Sequence, residues 1–138
     1  PTLVTSLLPL APPFHARTET PATLPSFIHG KAQDHGFSSK KPGWSRYLDK
    51  QRDYRLFHAD GRLKALQVLV VGNGSISASE LKQVLVELTG SERYHTDKHE
   101  KKSGLHLERA SLSEGAELLI YRTASKGPIK AFVLELKP

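Results

Sequence analysis

The placement of proline divides this chain into two parts. Seven of the nine prolines lie in residues 1–43, and two of them are adjacent at 12–13. Proline fixes the backbone φ angle and lacks an N–H donor, so helix interiors and central strands do not tolerate it. Three prolines interrupt the apolar residues 3–14. We therefore predict an extended, Pro-rich arm or linker over residues 1–43 and a folded domain over residues 44–138.

The composition is that of one globular domain with an excess of positive charge. The chain has 138 residues, of which 38% are hydrophobic, and a formal net charge of +6. The absence of cysteine excludes disulfides, thiolate catalysis and cysteine-based zinc sites. No apolar run reaches the roughly 18 residues of a transmembrane helix. Because the chain begins at Pro1, we expect a processed or truncated product, which leaves open a membrane anchor outside this sequence.

The clearest local pattern is a helix over residues 78–89. Ser77 and Glu80 have the spacing of a capping box, in which the first residue caps the helix and the second lies in its first turn. Gly90 stands where a left-handed residue ends a helix. Between these signals, apolar residues recur at helical spacing. They are Ala78, Leu81, Val84, Leu85 and Leu88.

Strands are predicted on both sides of this helix. Alternating or continuous apolar character favours five of them, at residues 54–58, 62–71, 105–110, 117–123 and 129–137. Asp60-Gly61 is a strong hairpin signal, and a turn over residues 125–128 joins the last two strands. The spacing of Trp44, Tyr47 and Leu48 predicts a short first helix. The polar residues 91–104 predict an exposed loop.

These elements give the order (α)ββαβββ and an α+β fold class. We predict one mostly antiparallel sheet with one main packed helix, preceded by the extended Pro-rich arm. The last strand is our candidate sheet edge, where a partner strand would bind. Its predicted binding residues are Ile129, Ala131, Phe132, Val133 and Glu135. The competing interpretation is an edge that its lysines simply protect from pairing.

The sequence carries no convincing catalytic signature. The glycines at 72–74 lack the further residues of a dinucleotide fingerprint or a phosphate-binding loop, so a turn is favoured there over an anion site. His95, Asp97 and His99 occupy alternate positions, but the neighbouring lysines favour a solvated loop over a metal site. We therefore predict no catalytic residue, no cofactor and no metal, and we favour a non-enzyme over an enzyme.

Most of the positive charge lies in one segment. Residues 31–64 hold nine Lys or Arg and four Asp, a local net charge of +5. Cations neutralise phosphates and interleaved aromatic rings can stack on bases, so a nucleic-acid-binding domain using the basic segment 40–64 is the alternative function. The competing interpretation is a solvated basic surface, or one facing an anionic membrane or glycan. The residues of the predicted basic surface are Lys40, Lys41, Arg46, Lys50, Arg52 and Arg55.

Four consecutive features resemble the C-terminal domain of TonB-like energy transducers. They are residues 60–63 (Asp-Gly-Arg-Leu), residues 66–69 (Leu-Gln-Val-Leu), the helix 78–89 and residues 92–94 (Glu-Arg-Tyr). The resemblance implies a mechanical role, in which a Pro-rich arm links an inner-membrane anchor to a periplasmic domain. In that family the domain captures a partner segment as an added strand.

The leading prediction is therefore a non-catalytic protein-binding or scaffold module of the periplasm or cell envelope. A protein partner is expected, and nucleic acid is the alternative partner. An exposed sheet edge also leaves a homodimer open.

Overall fold

The computed structural model describes residues 25–28, 33–37, 43–113 and 115–136, with 33–37 described by backbone only. These residues form an eight-stranded sheet and one helix. The elements are β1 Gln33–Phe37, β2 Trp44–Leu48, β3 Arg52–Ala59, β4 Arg62–Val70, α1 Ala78–Thr89, β5 His95–Lys102, β6 Leu105–Ser111, β7 Glu117–Arg122 and β8 Ile129–Glu135.

The sheet consists of two four-stranded meanders that meet at their last strands. Its order is β1-β2-β3-β4-β8-β7-β6-β5, and every neighbouring pair is antiparallel. The helix α1 connects β4 to β5 and packs on one face, which we call the helix face. The opposite face, here the second face, carries its own smaller buried cluster. That cluster is formed by Leu69, Leu107, Tyr121, Ala131 and Val133.

The predicted helix is confirmed at both ends. The Ser77 side chain accepts a hydrogen bond from the Glu80 N–H at 3.0 Å. Gly90 has a φ of 82°, and its N–H donates to the Val86 carbonyl at 2.9 Å. The Glu80 carboxylate accepts two hydrogen bonds from Arg52 of β3, at 2.6 and 2.8 Å. This contact ties the first turn of α1 to the sheet.

The two predicted hairpins are also confirmed. Asp60 and Gly61 both have positive φ, 54° and 73°, which is the geometry of the two-residue turn between β3 and β4. The turn after Arg122 returns the chain into β8 beside β7.

The predicted fold class with the order (α)ββαβββ is wrong. The described residues have the order ββββαββββ, although an antiparallel sheet with a packed helix is present. The predicted first helix is strand β2, with Ser45 and Tyr47 buried on the helix face and Trp44 on the other. The helical spacing of Trp44, Tyr47 and Leu48 is therefore misleading, because in the strand Tyr47 lies on the face opposite the other two. Pairing with β1 and β3 decides in favour of the strand.

The predicted loop over residues 91–104 is also wrong. Residues 95–102 form β5, and Ser103 and Gly104 make a tight turn with φ of 51° and 85°. The strand lies at an edge of the sheet and is largely exposed, so it has no apolar alternation for a sequence pattern to detect. The strand forms because its backbone pairs with β6.

Strand β8 is not at an edge. It lies between β4 and β7, with Phe132 opposite Val68 on one side and Ile120 on the other. Its backbone groups are already paired on both sides, so a partner strand cannot add there. The edges of the described sheet are β1 and β5.

Two pieces of the predicted arm contact the domain. Ile28 is buried in the core on the helix face, and β1 pairs with β2. Lys40 and Lys41 lie outside the described residues. In the described part of the chain, no helix is both long and apolar enough to cross a membrane.

Candidate functional site

The predicted basic surface is split between the two faces of the sheet. Arg52 lies on the helix face and donates to Glu80. Arg46 and Arg55 are neighbours in register on the second face, and Lys50 is exposed in the turn between β2 and β3. The structure therefore does not bring these cations together into one surface.

Arg46 and Arg55 are held by a buried carboxylate. Arg46 donates from Nε and Nη2 to the two oxygens of Asp53, at 3.0 and 2.9 Å. Arg55 Nη2 donates to the same carboxylate at 3.2 Å. The side chain of Asp53 is 3% exposed and that of Arg55 is 7% exposed. The three side chains form a structural ion cluster within the sheet. The cations of a nucleic-acid-binding surface are instead exposed to solvent.

A different set of cations lines an open cavity of about 390 Å³ between α1 and the turn that joins β7 to β8. Lys82 comes from α1, Arg122 from the end of β7 and Lys126 from the turn. Tyr94 also lines the cavity. We call this cavity the basic pocket. Its apolar lining is formed by Ile76, Ala78, Leu81, Pro128 and Ile129.

Arg122 is the fixed cation of the basic pocket. Its Nε donates to Glu108 at 3.2 Å, and its Nη1 donates to the Gly127 carbonyl at 3.0 Å. Glu108 also accepts a hydrogen bond from the Thr96 hydroxyl. These contacts lock the guanidinium, whose side chain is 19% exposed.

Glu108 is ionised at neutral pH despite its burial. Desolvation alone would raise the pKa of this carboxyl, but the hydrogen bonds from Thr96 and Arg122 outweigh it and lower the pKa. Tyr94 shows the opposite balance, since burial raises its pKa and keeps the phenol neutral.

The other two cations are free to meet a ligand. Lys82 and Lys126 are exposed, and neither forms an ion pair with a carboxylate among the described residues. Lys126 has a backbone φ of 64°, which residues other than glycine rarely adopt. The turn is compact, because a Cβ on Gly127 would lie 2.8 Å from the Thr123 hydroxyl. The turn thus holds Lys126 at the mouth of the basic pocket.

The chemistry of this site is charge recognition. Three cations, a neutral phenol and an apolar lining suit a carboxylate attached to an apolar group.

The predicted edge residues have other places. Ile129 lines the basic pocket, and Phe132 lies in the core beneath α1. Ala131 and Val133 belong to the second-face cluster, and Glu135 is exposed at the end of β8. Because β8 is paired with β4 and β7, these residues have no free sheet edge at which to bind a partner strand.

Sequence reasoning missed all three cations of the basic pocket. They lie far apart in the chain and follow no motif. Sequence patterns predicted the helix with Lys82, the strand with Arg122 and the turn with Lys126, but none of them indicates that these elements meet.

A β-bulge interrupts the alternating motif of His95, Asp97 and His99 at the start of β5. The register shifts between Thr96 and Lys98, so that His95 pairs with Ser111 and His99 with Glu108, which puts the two histidines on opposite faces of the sheet. Across the described ranges, no group of three or more His, Cys, Asp or Glu could hold a metal ion.

The glycine loop at 72–74 presents a carbonyl group to a cation. Lys130 Nζ donates a hydrogen bond to the Gly74 carbonyl at 2.6 Å, which agrees with the predicted turn and not with an anion site.

The Glu108 network makes a testable link between pH and stability. A carboxyl with a lowered pKa stabilises the fold above its unfolded-state pKa, and that contribution is lost as pH falls through the folded-state value. Glu108→Gln is therefore expected to lower the free energy of unfolding at pH 7 by about 1–2 kcal/mol. The difference from wild type should disappear in acid.

Urea unfolding followed from pH 7 to pH 3 measures this effect. Glu92→Gln is the matched control, because its side chain is exposed in the segment between α1 and β5, and it should follow the wild type throughout. A Glu108→Gln deficit that stays constant with pH would contradict the assigned role of the carboxylate.

Comparison with known proteins identifies no family. No family model matches the chain, and no curated protein matches it. A crystal structure of a cysteine-rich secretory protein from Staphylococcus aureus is similar over 78% of this chain, with 12% sequence identity and a TM-score of 0.35. The match spans 40% of that protein.

Proposed function

We propose that this chain is a non-catalytic protein-binding module that holds an acidic side chain of its partner in the basic pocket. One observation carries the proposal: Lys82, Arg122 and Lys126 converge from three separate elements on one cavity with an apolar lining. A protein surface gains from such an arrangement when the partner supplies both a carboxylate and apolar contact.

The geometry supports binding at low entropic cost. Arg122 is held at two nitrogens before any ligand arrives, so little side-chain freedom is lost on binding. Glu108 offsets the charge of Arg122, so the net positive charge that meets a partner carboxylate comes from Lys82 and Lys126. The exposed Lys82 and Lys126 add charge at the rim, which favours encounter with an acidic partner.

Strand addition at the β5 edge is less well supported than pocket binding. The edge strand β5 carries Lys98, Lys101 and Lys102 and a bulge at Asp97, which are the features that protect an edge from pairing. Placement in the periplasm or cell envelope stays a prediction. The nucleic-acid alternative also stays one, and the split of its cations between two faces gives it no support.

Fluorescence anisotropy with defined peptides tests the proposal. The probe is a labelled peptide of alternating Glu and Leu, compared with a Gln-Leu peptide of the same length. We expect the acidic peptide to bind at least about tenfold more tightly. Combining Lys82→Glu with Lys126→Glu should remove that preference, because like charges then face the ligand.

The control has the same change in net charge outside the basic pocket. Lys50→Glu with Lys102→Glu alters two exposed lysines outside the basic pocket, one in the turn between β2 and β3 and one at the end of β5, and should keep the preference. Equal losses in both double variants would mean that only net charge matters. Tighter binding of labelled DNA than of the acidic peptide would overturn the proposal in favour of the nucleic-acid function.

A further inference from the structure

Two histidine rings face each other across β5 and β6, outside the basic pocket. His99 Nδ1 and His106 Nε2 are 2.8 Å apart, and the ring centroids are 4.9 Å apart. His99 pairs in register with Glu108, and Lys101 pairs with His106, so the two histidines are diagonal neighbours on the helix face. His99 is exposed and His106 is half-buried. The pair is accessible to a solute ion.

The spacing of the two nitrogens matches adjacent ligands of a metal ion. Imidazole nitrogens bind first-row metals at about 2.0–2.1 Å, so two ligands at a right angle lie about 2.9 Å apart. Tetrahedral ligands at the same bond length lie about 3.3–3.4 Å apart. A hydrogen bond sets the 2.8 Å separation in the metal-free pair, and this separation is close enough to these spacings for both rings to reach one ion. Among divalent first-row metals Cu²⁺ binds imidazole nitrogen most tightly.

We propose that His99 and His106 form a two-imidazole site for Cu²⁺, with water in its remaining positions. Each neutral ring carries one proton, which can sit on the nitrogen that faces away from the partner ring. The ligands are then Nδ1 of His99 and Nε2 of His106. Binding replaces the hydrogen bond between the rings and requires no net release of a proton from the neutral pair.

One carboxylate and two cations surround the pair. Glu108 lies opposite His99 and Arg122 lies opposite His106, and these two side chains form an ion pair that leaves no net charge beside the rings. Lys101 opposes a cation but is exposed on a flexible stem, so its ammonium can turn to solvent. This pairing differs from the His95 and His99 arrangement considered in the sequence, because it joins two strands.

Titration of the full chain with Cu²⁺ alone tests the site. Calorimetry should show a tightest site of one equivalent, and electron paramagnetic resonance should show two coordinated nitrogens. His99→Ala and His106→Ala should each weaken that site at least about tenfold, since loss of even an outer partner of a metal-bound histidine costs this much. The nitrogen count should fall from two to one, and the double variant should bind no tighter than either single variant.

His95→Ala is the matched control, because it removes an exposed histidine from the same strand. It should leave the affinity and the nitrogen count unchanged. The proposal is overturned if His95→Ala weakens the tightest site as much as His99→Ala does, or if both pair variants bind like wild type. Tighter binding of Zn²⁺ than of Cu²⁺ would overturn the assignment to Cu²⁺. Circular dichroism checks that each variant folds, and His99→Gln and His106→Gln replace any alanine variant that does not.

Discussion

Asp53→Asn is expected to lower the free energy of unfolding by about 3–5 kcal/mol, the usual cost of removing one partner from a buried ion pair. The Asp53 carboxylate accepts from both Arg46 and Arg55 on the second face. Without its charge, the guanidinium of Arg55 stays 7% exposed with no counter-ion in the cluster. The Nε of Arg55 already lacks a hydrogen-bond acceptor among the described residues, so nothing there compensates.

Urea unfolding measured by circular dichroism gives the free energy, and two variants calibrate it. Asp60→Asn changes an exposed aspartate in a turn where asparagine is equally suited to a positive φ, so it should change stability by less than about 0.5 kcal/mol. Arg46→Ala should cost less than Asp53→Asn, because Arg46 is 29% exposed and Arg55 still balances the carboxylate. Equal effects of Asp53→Asn and Asp60→Asn would contradict the buried cluster.

This cluster also shows why the sequence-based basic surface failed. A count of charges along residues 31–64 treats every arginine as exposed to solvent. It treats each aspartate only as one negative charge subtracted from the total. In strands, alternate residues point to opposite faces, so Arg52 and Arg55 separate although they are close in sequence. Register then places Arg46 beside Arg55, and one aspartate satisfies both.

Local signals predicted the parts of the fold that local chemistry determines. The helix α1 has its cap, its apolar stripe and its terminal glycine within a short segment, and the Asp60-Gly61 turn needs only two residues of positive φ. Strand β5 has no such apolar signal. The turn that follows it, Ser103-Gly104, has two positive φ angles like the Asp60-Gly61 turn. A Ser-Gly dipeptide is a turn signal, and it was the one local indication of the hairpin between β5 and β6.

The basic pocket could not be predicted because it depends on the order of the strands. Lys82 and Arg122 are brought together by the packing of α1 over the sheet, and Lys126 joins them through the return of β7 into β8. The order β4-β8-β7 requires pairing between strands far apart in the chain. The same pairing moves β8 from the predicted edge to the centre.

Val133→Pro tests that central position and is expected to cost about 3 kcal/mol or more beyond the cost of Val133→Ala. Val133 pairs with Gln67 of β4 on one side and with Leu119 of β7 on the other. A strand with neighbours on both sides uses the N–H of every residue in its ladder, so proline removes a hydrogen bond and its ring crowds the adjacent strand. Loss of any cooperative unfolding transition in Val133→Pro is the extreme form of the same result.

Val133→Ala is the matched control, because it removes the same side chain from the second-face cluster and leaves the backbone intact. The difference between the two variants in urea unfolding therefore isolates the backbone. At a sheet edge, a residue whose N–H faces solvent accepts proline at little cost, since no ladder bond is lost. Equal stability of the two variants would mean that Val133 faces an open edge. A large difference shows that the Val133 N–H is bonded to an adjacent strand, as expected for a residue that pairs with Gln67 of β4 and with Leu119 of β7.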